Sequence, residues 1–168
     1  MPSAPVRVMG VDPGLASIGW GVVDIDGARL FYRGHGCIAT PASLAMESRL
    51  ALIRDGLLAV ADEYRPAELA MEGLFFSRNV SSAMAVAEVR GVIRLAFHDR
   101  GLSVAEYLPN AVKLAAAGSA GAGKADVQAF VKLALGLAAV PKPDHAADAL
   151  AVALCHCQNR SWAMTARA

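Results

Sequence analysis

The sequence begins with three short β-strand patterns that follow one another across very short turns. The first is the valine-rich run of residues 6–11, which Asp12-Pro13-Gly14 ends with a turn. Residues 17–25 and 30–38 give two more strand patterns, joined by the hairpin signal Asp26-Gly27. Because turns this short join only antiparallel strands, the chain is expected to begin with an antiparallel meander.

Helices and strands alternate after the meander. Apolar residues recur at spacings of three and four from Met46 to Tyr64, which predicts a helix. Further strands are predicted at 69–71 and 104–107, and further helices at 82–100, 109–117, 123–135 and 144–157. Strand–helix–strand connections require parallel pairing with a right-handed crossover. The order therefore predicts an α/β fold, a ribonuclease-H-like mixed five-stranded sheet with helices on both faces.

Composition limits the classes of protein that fit this pattern. The chain has 168 residues, of which 55% are hydrophobic and 18% charged, so a disordered chain is excluded and one domain over residues 1–168 is expected. Charge interrupts the apolar stretches before they reach the roughly 20 residues of a membrane span. The N-terminus shows no secretory signal and the three cysteines fit buried thiols, so we expect a cytoplasmic protein.

Charge is unevenly distributed along the chain. Residues 1–107 contain 10 Lys and Arg against 12 Asp and Glu, whereas residues 108–168 contain 6 against 3. The C-terminal part is therefore basic within an almost neutral protein, which indicates a local anionic partner.

Two carboxylates end neighbouring strands of the predicted sheet. Asp12 follows the first strand and Glu72 follows the fourth, and these strands lie side by side in a ribonuclease-H-like order. Open α/β sheets place their sites at this edge. Two adjacent carboxylates repel each other unless a cation lies between them, so the pair indicates a divalent metal. The structural alternatives are turn formation for Asp12 and an ordinary loop position for Glu72.

The last predicted helix supplies further candidate ligands. Asp148 lies three residues after His145 and four after Asp144, and both spacings place the side chains on one helical face. An aspartate among alanines in an apolar helix is costly unless it is paired or bound to a metal. Asp144 follows Pro143 and is interpreted as the helix N-cap. We therefore favour His145 with Asp148 as the functional pair, with Asp144 and Asp148 as the alternative.

Short segments carrying these residues run in order from about residue 6 to residue 157. They are Gly10-Val11-Asp12-Pro13-Gly14, Gly19-Trp20-Gly21, Met71-Glu72, Phe75-Phe76, Arg78-Asn79, Val112-Lys113, the glycine-rich segment with Lys124, and His145-Ala146-Ala147-Asp148-Ala149-Leu150-Ala151. Together they resemble the RuvC family of Holliday-junction resolvases. The resemblance implies a crossover junction endodeoxyribonuclease that cuts four-way DNA junctions in recombination and repair.

The resemblance also implies roles for individual residues. The metal-binding active site would consist of four residues, namely Asp12, Glu72, His145 and Asp148. Two divalent ions about 4 Å apart would activate water and stabilise the leaving 3′-oxygen. Lys113 and Lys124 would contact DNA, with the Lys124 charge near the reacting phosphate. Many members have Asp where this chain has His145, and imidazole suits Mn²⁺ better than Mg²⁺, so both metals stay open.

Aromatic and basic residues near Glu72 are candidates for DNA contact. Phe75 and Phe76 follow the glutamate in a predicted loop, where aromatic rings can stack on exposed bases. Packing into the domain or a subunit interface is the alternative, and we favour it for Phe76. Arg78, Arg90 and Arg94 are candidate phosphate contacts, with solvated surface positions as the alternative.

A four-way junction requires two symmetric incisions, and one active site per chain therefore implies a homodimer. The resemblance places the helix at 82–97 near the dimer interface and adds the branch-migration proteins RuvA and RuvB as partners.

Two other functions remain open: a ribonuclease-H-like nuclease that processes ribosomal RNA, and a junction-binding protein without catalysis.

Overall fold

A computed structural model describes residues 4–74 and 80–165, with side chains described as far as residue 160. The strands are β1 (Val6–Asp12), β2 (Ser17–Asp26), β3 (Arg29–Ala39), β4 (Glu68–Glu72) and β5 (Val104–Tyr107). The helices are α1 (Met46–Tyr64), α2 (Val80–His98), α3 (Pro109–Ala117), α4 (Lys124–Ala134) and α5 (Asp144–Thr165). Within the described ranges, none of the helices combines the length and the hydropathy needed to cross a bilayer.

The five strands form one mixed sheet in the order β3-β2-β1-β4-β5. The first three strands pair antiparallel, as expected for a meander with short turns. Strand β4 pairs parallel with β1 on one side and with β5 on the other. The predicted ribonuclease-H-like sheet is confirmed, and it places the ends of β1 and β4 next to each other at the centre.

Large side chains fill the space between the sheet and the helices α1 and α2. The fully or almost fully buried residues of this core include Met9, Val11, Ile18, Val22, Ile53, Leu57, Leu69, Met71, Ile93 and Phe97. They come from three strands and two helices that are spread along the sequence, so their burial supplies much of the free energy that holds the sheet to these helices.

Small residues bring α5 directly onto the opposite face of the sheet. A Cβ atom added at Gly10 would lie 2.1 Å from the carbonyl oxygen of Ala149, and one at Gly19 would lie 1.9 Å from that of His145. At Gly21 it would meet the Leu150 side chain at 2.6 Å. Because only glycine leaves room for these contacts, β1 and β2 fix the position of α5 by backbone contact.

Helix α5 is longer than the predicted segment, which ended at residue 157. It continues to Thr165, because the residues after Cys157 include no proline or glycine that would end it. The Asn159 side chain also donates a hydrogen bond to the Cys155 carbonyl, one turn earlier, at 2.8 Å. The extension brings further polar residues of α5 against the sheet.

A polar network connects this second half of α5 to β4 and β5. The Tyr107 hydroxyl lies 2.8 Å from Nδ1 of His156, and Nε2 of the same imidazole lies 2.8 Å from Oε2 of Glu68. Arg160 donates to Oε1 of Glu68 at 2.8 Å. Helix α5 is therefore attached to the start of β4 as well as to β1 and β2.

Candidate active site

Strands β1 and β4 place two acidic side chains side by side. Val11 of β1 is in register with Met71 of β4, so the next residues, Asp12 and Glu72, end their strands side by side. Asp12 is only 8% exposed and Glu72 is half-buried. The structure thus brings these two predicted carboxylates to one point at the edge of the sheet.

Helix α5 brings His145 and Asp148 to the same point. Nδ1 of His145 lies 2.7 Å from Oδ2 of Asp12. One ligand atom from each of Asp12, His145 and Asp148 lies within 4.8 Å of the other two. Two carboxylates and an imidazole at this separation could hold a divalent cation. The close packing at Gly19 explains the placement, because its neighbour across the contact is the His145 backbone.

Two carboxyl groups at this site, those of Asp12 and Glu72, have raised pKa values. Burial, the negative charge of Asp12 and a hydrogen bond with its carboxylate raise the pKa of Glu72 to about 8. Burial also raises the pKa of Asp12, against the opposing effect of its hydrogen bond with His145. Such crowded carboxylates are stabilised when a cation lies among them. The electrostatics of the site therefore fits a divalent metal, in agreement with the donor atoms.

Two lysines border the acidic cluster. Lys124 begins α4, and its Nζ lies 3.3 Å from Oδ2 of Asp148 and 3.3 Å from Oδ2 of Asp144. Lys113 of α3 lines a cavity of about 240 Å³ together with Lys124, Glu72 and Asp148. Cations beside a metal site are suited to a substrate that carries negative charge, such as a phosphodiester.

Asp144 is the first residue of α5 rather than its N-cap. Pro143 takes the cap position, since its carbonyl accepts hydrogen bonds from the amides of Ala146 at 3.0 Å and Ala147 at 3.4 Å. The Asp144 side chain instead forms ion pairs with Lys124 and, at 2.9 Å, with Lys142. The predicted capping role is wrong because Pro143, one residue earlier, already occupies the N-cap position.

Arg90 has a different role from the predicted phosphate contact. Its guanidinium is buried, donates to the Glu72 carbonyl and lies 2.9 Å from Oε1 of Glu106 on β5. Arg94 binds the same carboxylate from the exposed side of α2. Arg90 thus fixes the end of the strand that carries Glu72. No periodicity or motif in the sequence connects an arginine on α2 with a glutamate on β5, so sequence reasoning missed this role.

The predicted DNA contacts at Phe75, Phe76 and Arg78 lie outside the described residues. Their roles remain predictions. Lys113 and Lys124, by contrast, are described, and both border the acidic cluster.

A mixed sheet of this order, with acidic residues at the ends of β1 and β4 and on the helix laid across them, defines a nuclease of the ribonuclease-H-like class. A family model described as crossover junction endodeoxyribonuclease RuvC matches residues 8–156. The chain belongs to the RuvC family.

Individual relatives agree with this assignment. The chain is 48% identical to the crossover junction endodeoxyribonuclease RuvC of Chloroflexus aggregans over 151 residues, which cover 90% of this chain and 92% of the relative. It is 44% identical to that of Thermotoga maritima over 161 residues, covering 95% and 96% of the two chains. Relatives this similar over almost their whole length share the fold.

Solved structures give the same result. The structure of T. thermophilus RuvC in complex with a Holliday junction substrate matches with a TM-score of 0.89 and 34% identity, over 94% of this chain and 96% of that one. A fowlpox virus resolvase bound to Holliday junction DNA matches at a TM-score of 0.60 and 13% identity, which supports the fold alone.

Proposed function

We propose that this chain is a divalent-metal-dependent endonuclease that resolves four-way DNA junctions by paired, symmetric hydrolysis of phosphodiester bonds. The observation that carries the proposal is the convergence of Asp12, His145 and Asp148 within 4.8 Å, beside Glu72. Family membership and the similarity to a resolvase bound to its junction support the substrate.

The position of each acidic residue indicates its role in holding the metal ions. Asp12 lies between Glu72 and His145, so Asp12 would be the ligand shared by two divalent ions, and Glu72 and Asp148 would each contribute to holding one of them. When bound, two divalent ions would supply a water of lowered pKa and positive charge at the leaving 3′-oxygen. Arg90 and the glycine contacts under α5 keep these ligands in place. The expected products carry a 5′-phosphate and a 3′-hydroxyl.

Lys113 and Lys124 are proposed to hold the scissile phosphate. Both lie at the cavity that Glu72 and Asp148 line, so a phosphate there would meet the lysines and the metal ligands together. Their positive charge stabilises the negative charge that develops on the phosphate oxygens as the bond breaks. Either Mg²⁺ or Mn²⁺ fits a site with three carboxylates, and the imidazole of His145 favours Mn²⁺.

A homodimer formed through α2 is proposed for the paired incisions. Exposed apolar or small residues recur every three or four positions along this helix, at Val80, Met84, Ala87, Gly91 and Leu95. Val80, Met84 and Leu95 are 63% to 67% exposed. An apolar stripe of this kind is typical of a self-complementary interface about a two-fold axis, which matches the symmetry of a four-way junction.

The wider setting follows from the family. We propose that residues 1–168 act as one nuclease domain in the cytoplasm, where junctions arise on the chromosome, with RuvA and RuvB as branch-migration partners. Membership of the RuvC family supports this setting.

The decisive experiment incubates the protein with a four-way DNA junction, a linear duplex and a structured RNA, each with EDTA, Mg²⁺ or Mn²⁺. We expect metal-dependent, paired cuts in the junction alone. Asp12→Asn, Glu72→Gln and Asp148→Asn should each abolish cleavage and leave junction binding largely intact. Asp55→Asn is the matched control, because Asp55 is exposed on α1 and pairs only with its neighbour Arg54 in the described contacts.

Each failure would favour a different function. Preferential cutting of the structured RNA would favour ribosomal RNA processing. Tight junction binding without cleavage in any metal would favour a non-catalytic junction-binding protein. Full activity in Asp148→Asn would contradict the assignment of the site.

A further inference from the structure

The side chain of Lys124 is held in place mainly by ion pairs. It begins α4 directly after the glycine-rich residues 118–123, and its side chain is 53% exposed. A lysine side chain is flexible, so an exposed lysine samples many positions unless its ammonium group is bound. Among the described residues, its ammonium group forms ion pairs with Asp144 and Asp148, each at 3.3 Å.

These two partners differ in what else they bind. Asp148 belongs to the cluster that fits a divalent metal. A divalent cation and an ammonium group compete for one carboxylate, because both are attracted to its two oxygens and the two cations repel each other. Metal binding therefore weakens the contact between Asp148 and Lys124, and leaves Asp144 as the anchor of the lysine.

Asp144 is well placed for this task. It is the first residue of α5, where the helix dipole favours a negative charge. Its Oδ1 accepts from Nζ of Lys142 at 2.9 Å and from Nε2 of Gln128 at 3.3 Å, which leaves Oδ2 facing Lys124. The backbone next to it is fixed on the sheet at Gly19.

We propose that Asp144 is a positioning residue, which keeps the ammonium group of Lys124 at the scissile phosphate when the metal occupies Asp148. The inference rests on the proposed function, because it takes Lys124 as a phosphate contact and Asp148 as a metal ligand. Exposed ion pairs contribute little to the stability of a fold. The loss of Asp144 should therefore appear in the cleavage step and leave thermal stability nearly unchanged.

A double-mutant cycle tests this coupling. Single-turnover cleavage of a four-way junction is measured at saturating protein for wild type, Asp144→Asn, Lys124→Ala and the double variant. We expect losses of about 10-fold for Asp144→Asn and about 100-fold for Lys124→Ala. The double variant should be no slower than Lys124→Ala, because Asp144 acts through the lysine. Asp144→Glu should restore much of the rate, and the control Asp55→Asn should match wild type.

Amine labelling gives a second measurement that needs no cleavage. The protein is labelled briefly with an acylating reagent, with EDTA or with Mg²⁺, and the modification of Lys124 is compared with that of exposed Lys132 by mass spectrometry. In wild type, Lys124 should stay protected when Mg²⁺ is added. In Asp144→Asn, added Mg²⁺ should increase its labelling about threefold or more relative to Lys132, because neither carboxylate then holds it.

The outcomes separate the two proposals. If the rate losses of the two single variants multiply in the double variant, or if Asp144→Asn cleaves at the wild-type rate, the positioning role of Asp144 is overturned. The proposed function is still sustained in that case, provided that the wild-type protein cleaves the junction. Equal labelling of Lys124 in both proteins with Mg²⁺ also overturns it. If wild type cuts no junction, the proposed function fails, and the labelling result still decides whether Asp144 holds the lysine.

Discussion

Helices cover both faces of the central sheet, but they are held there in different ways. On the α1 and α2 face, large side chains such as Ile53 and Phe97 separate the helices from the strands and fill the gap. On the α5 face, Gly10 and Gly19 allow helix backbone to touch strand backbone. Packing through side chains can adjust to small changes, whereas backbone contact cannot. The first face therefore mainly supplies stability, and the second fixes the coordinates of the site.

The largest stability loss should come from the first face. Phe97 is fully buried between α2 and the sheet, and Phe97→Ala should cost about 3 to 5 kcal/mol of unfolding free energy. Urea denaturation measures the loss. Single-turnover cleavage by the protein that remains folded at low temperature should stay within about twofold of wild type. A large rate loss in the folded variant would show that this face also sets the site geometry.

A matched pair of glycine substitutions compares the two faces directly. Alanine at Gly19 would place its Cβ 1.9 Å from a backbone oxygen of α5, whereas alanine at Gly56 of α1 would meet the end of the Ile38 side chain at 2.7 Å. We expect Gly19→Ala to lose about 3 kcal/mol and all cleavage. Gly56→Ala should change stability by less than about 1 kcal/mol, because the gain in helix propensity offsets the crowding.

Thermal denaturation and cleavage assays of both variants measure these effects. If Gly19→Ala retained wild-type cleavage, the backbone contact would not be what places His145 and Asp148. If Gly56→Ala were the more damaging change, the contrast between the faces would be reversed.

The next largest effect should be on the pH dependence of stability, because α5 and the strands bring several carboxyl groups together at one edge of the sheet. Glu72 has a pKa of about 8 in the folded protein against 4.5 as the ordinary value, so between these pH values the folded state retains a proton that the unfolded chain has released. The stability of the metal-free protein should therefore fall as pH rises from about 4.5 to 8. Glu72→Gln should remove much of this decline and raise the melting temperature at pH 8 by roughly 2 to 6 °C.

Melting curves in EDTA from pH 5 to pH 9 test this expectation, and Asp55→Asn serves as the control because its carboxylate lies outside the cluster. Added Mg²⁺ should stabilise wild type more at pH 8 than at pH 5. A melting temperature of wild type that increased with pH over this window would contradict the sign derived from Glu72.

The smallest effect should follow an exchange of one ligand on the fixed helix. His145→Asp alters the side chain without altering the backbone contact at Gly19, so the variant should fold and cut junctions. Because carboxylate suits Mg²⁺ and imidazole suits Mn²⁺ better, the ratio of cleavage rates in Mg²⁺ and Mn²⁺ should increase several-fold. Rates measured at equal concentrations of the two metals give this ratio. An unchanged ratio would argue against direct ligation by His145.

The sequence was sufficient for the sheet order and for the meeting of Asp12 with Glu72, because both depend on local patterns and on general rules of α/β topology. It also indicated that α5 approaches the sheet, through its alanines. The placement of Arg90 depends on Glu106, a partner on another strand, and no local pattern encodes that pair. The position of Asp144 was wrong by one helical residue, since proline can itself take the cap position and leave the acid free to bind lysine.

The network of Glu68, His156 and Arg160 ties the length of a segment of α5 to the length of β4. His156 lies eight positions after Asp148 on the helix, a rise of about 12 Å. Glu72 lies four positions after Glu68 on the strand, a rise of about 13 Å. Helix and strand are thus matched at both ends. Adding or deleting a residue in either span would break this match, so length variation among related chains should be confined to the connections outside them.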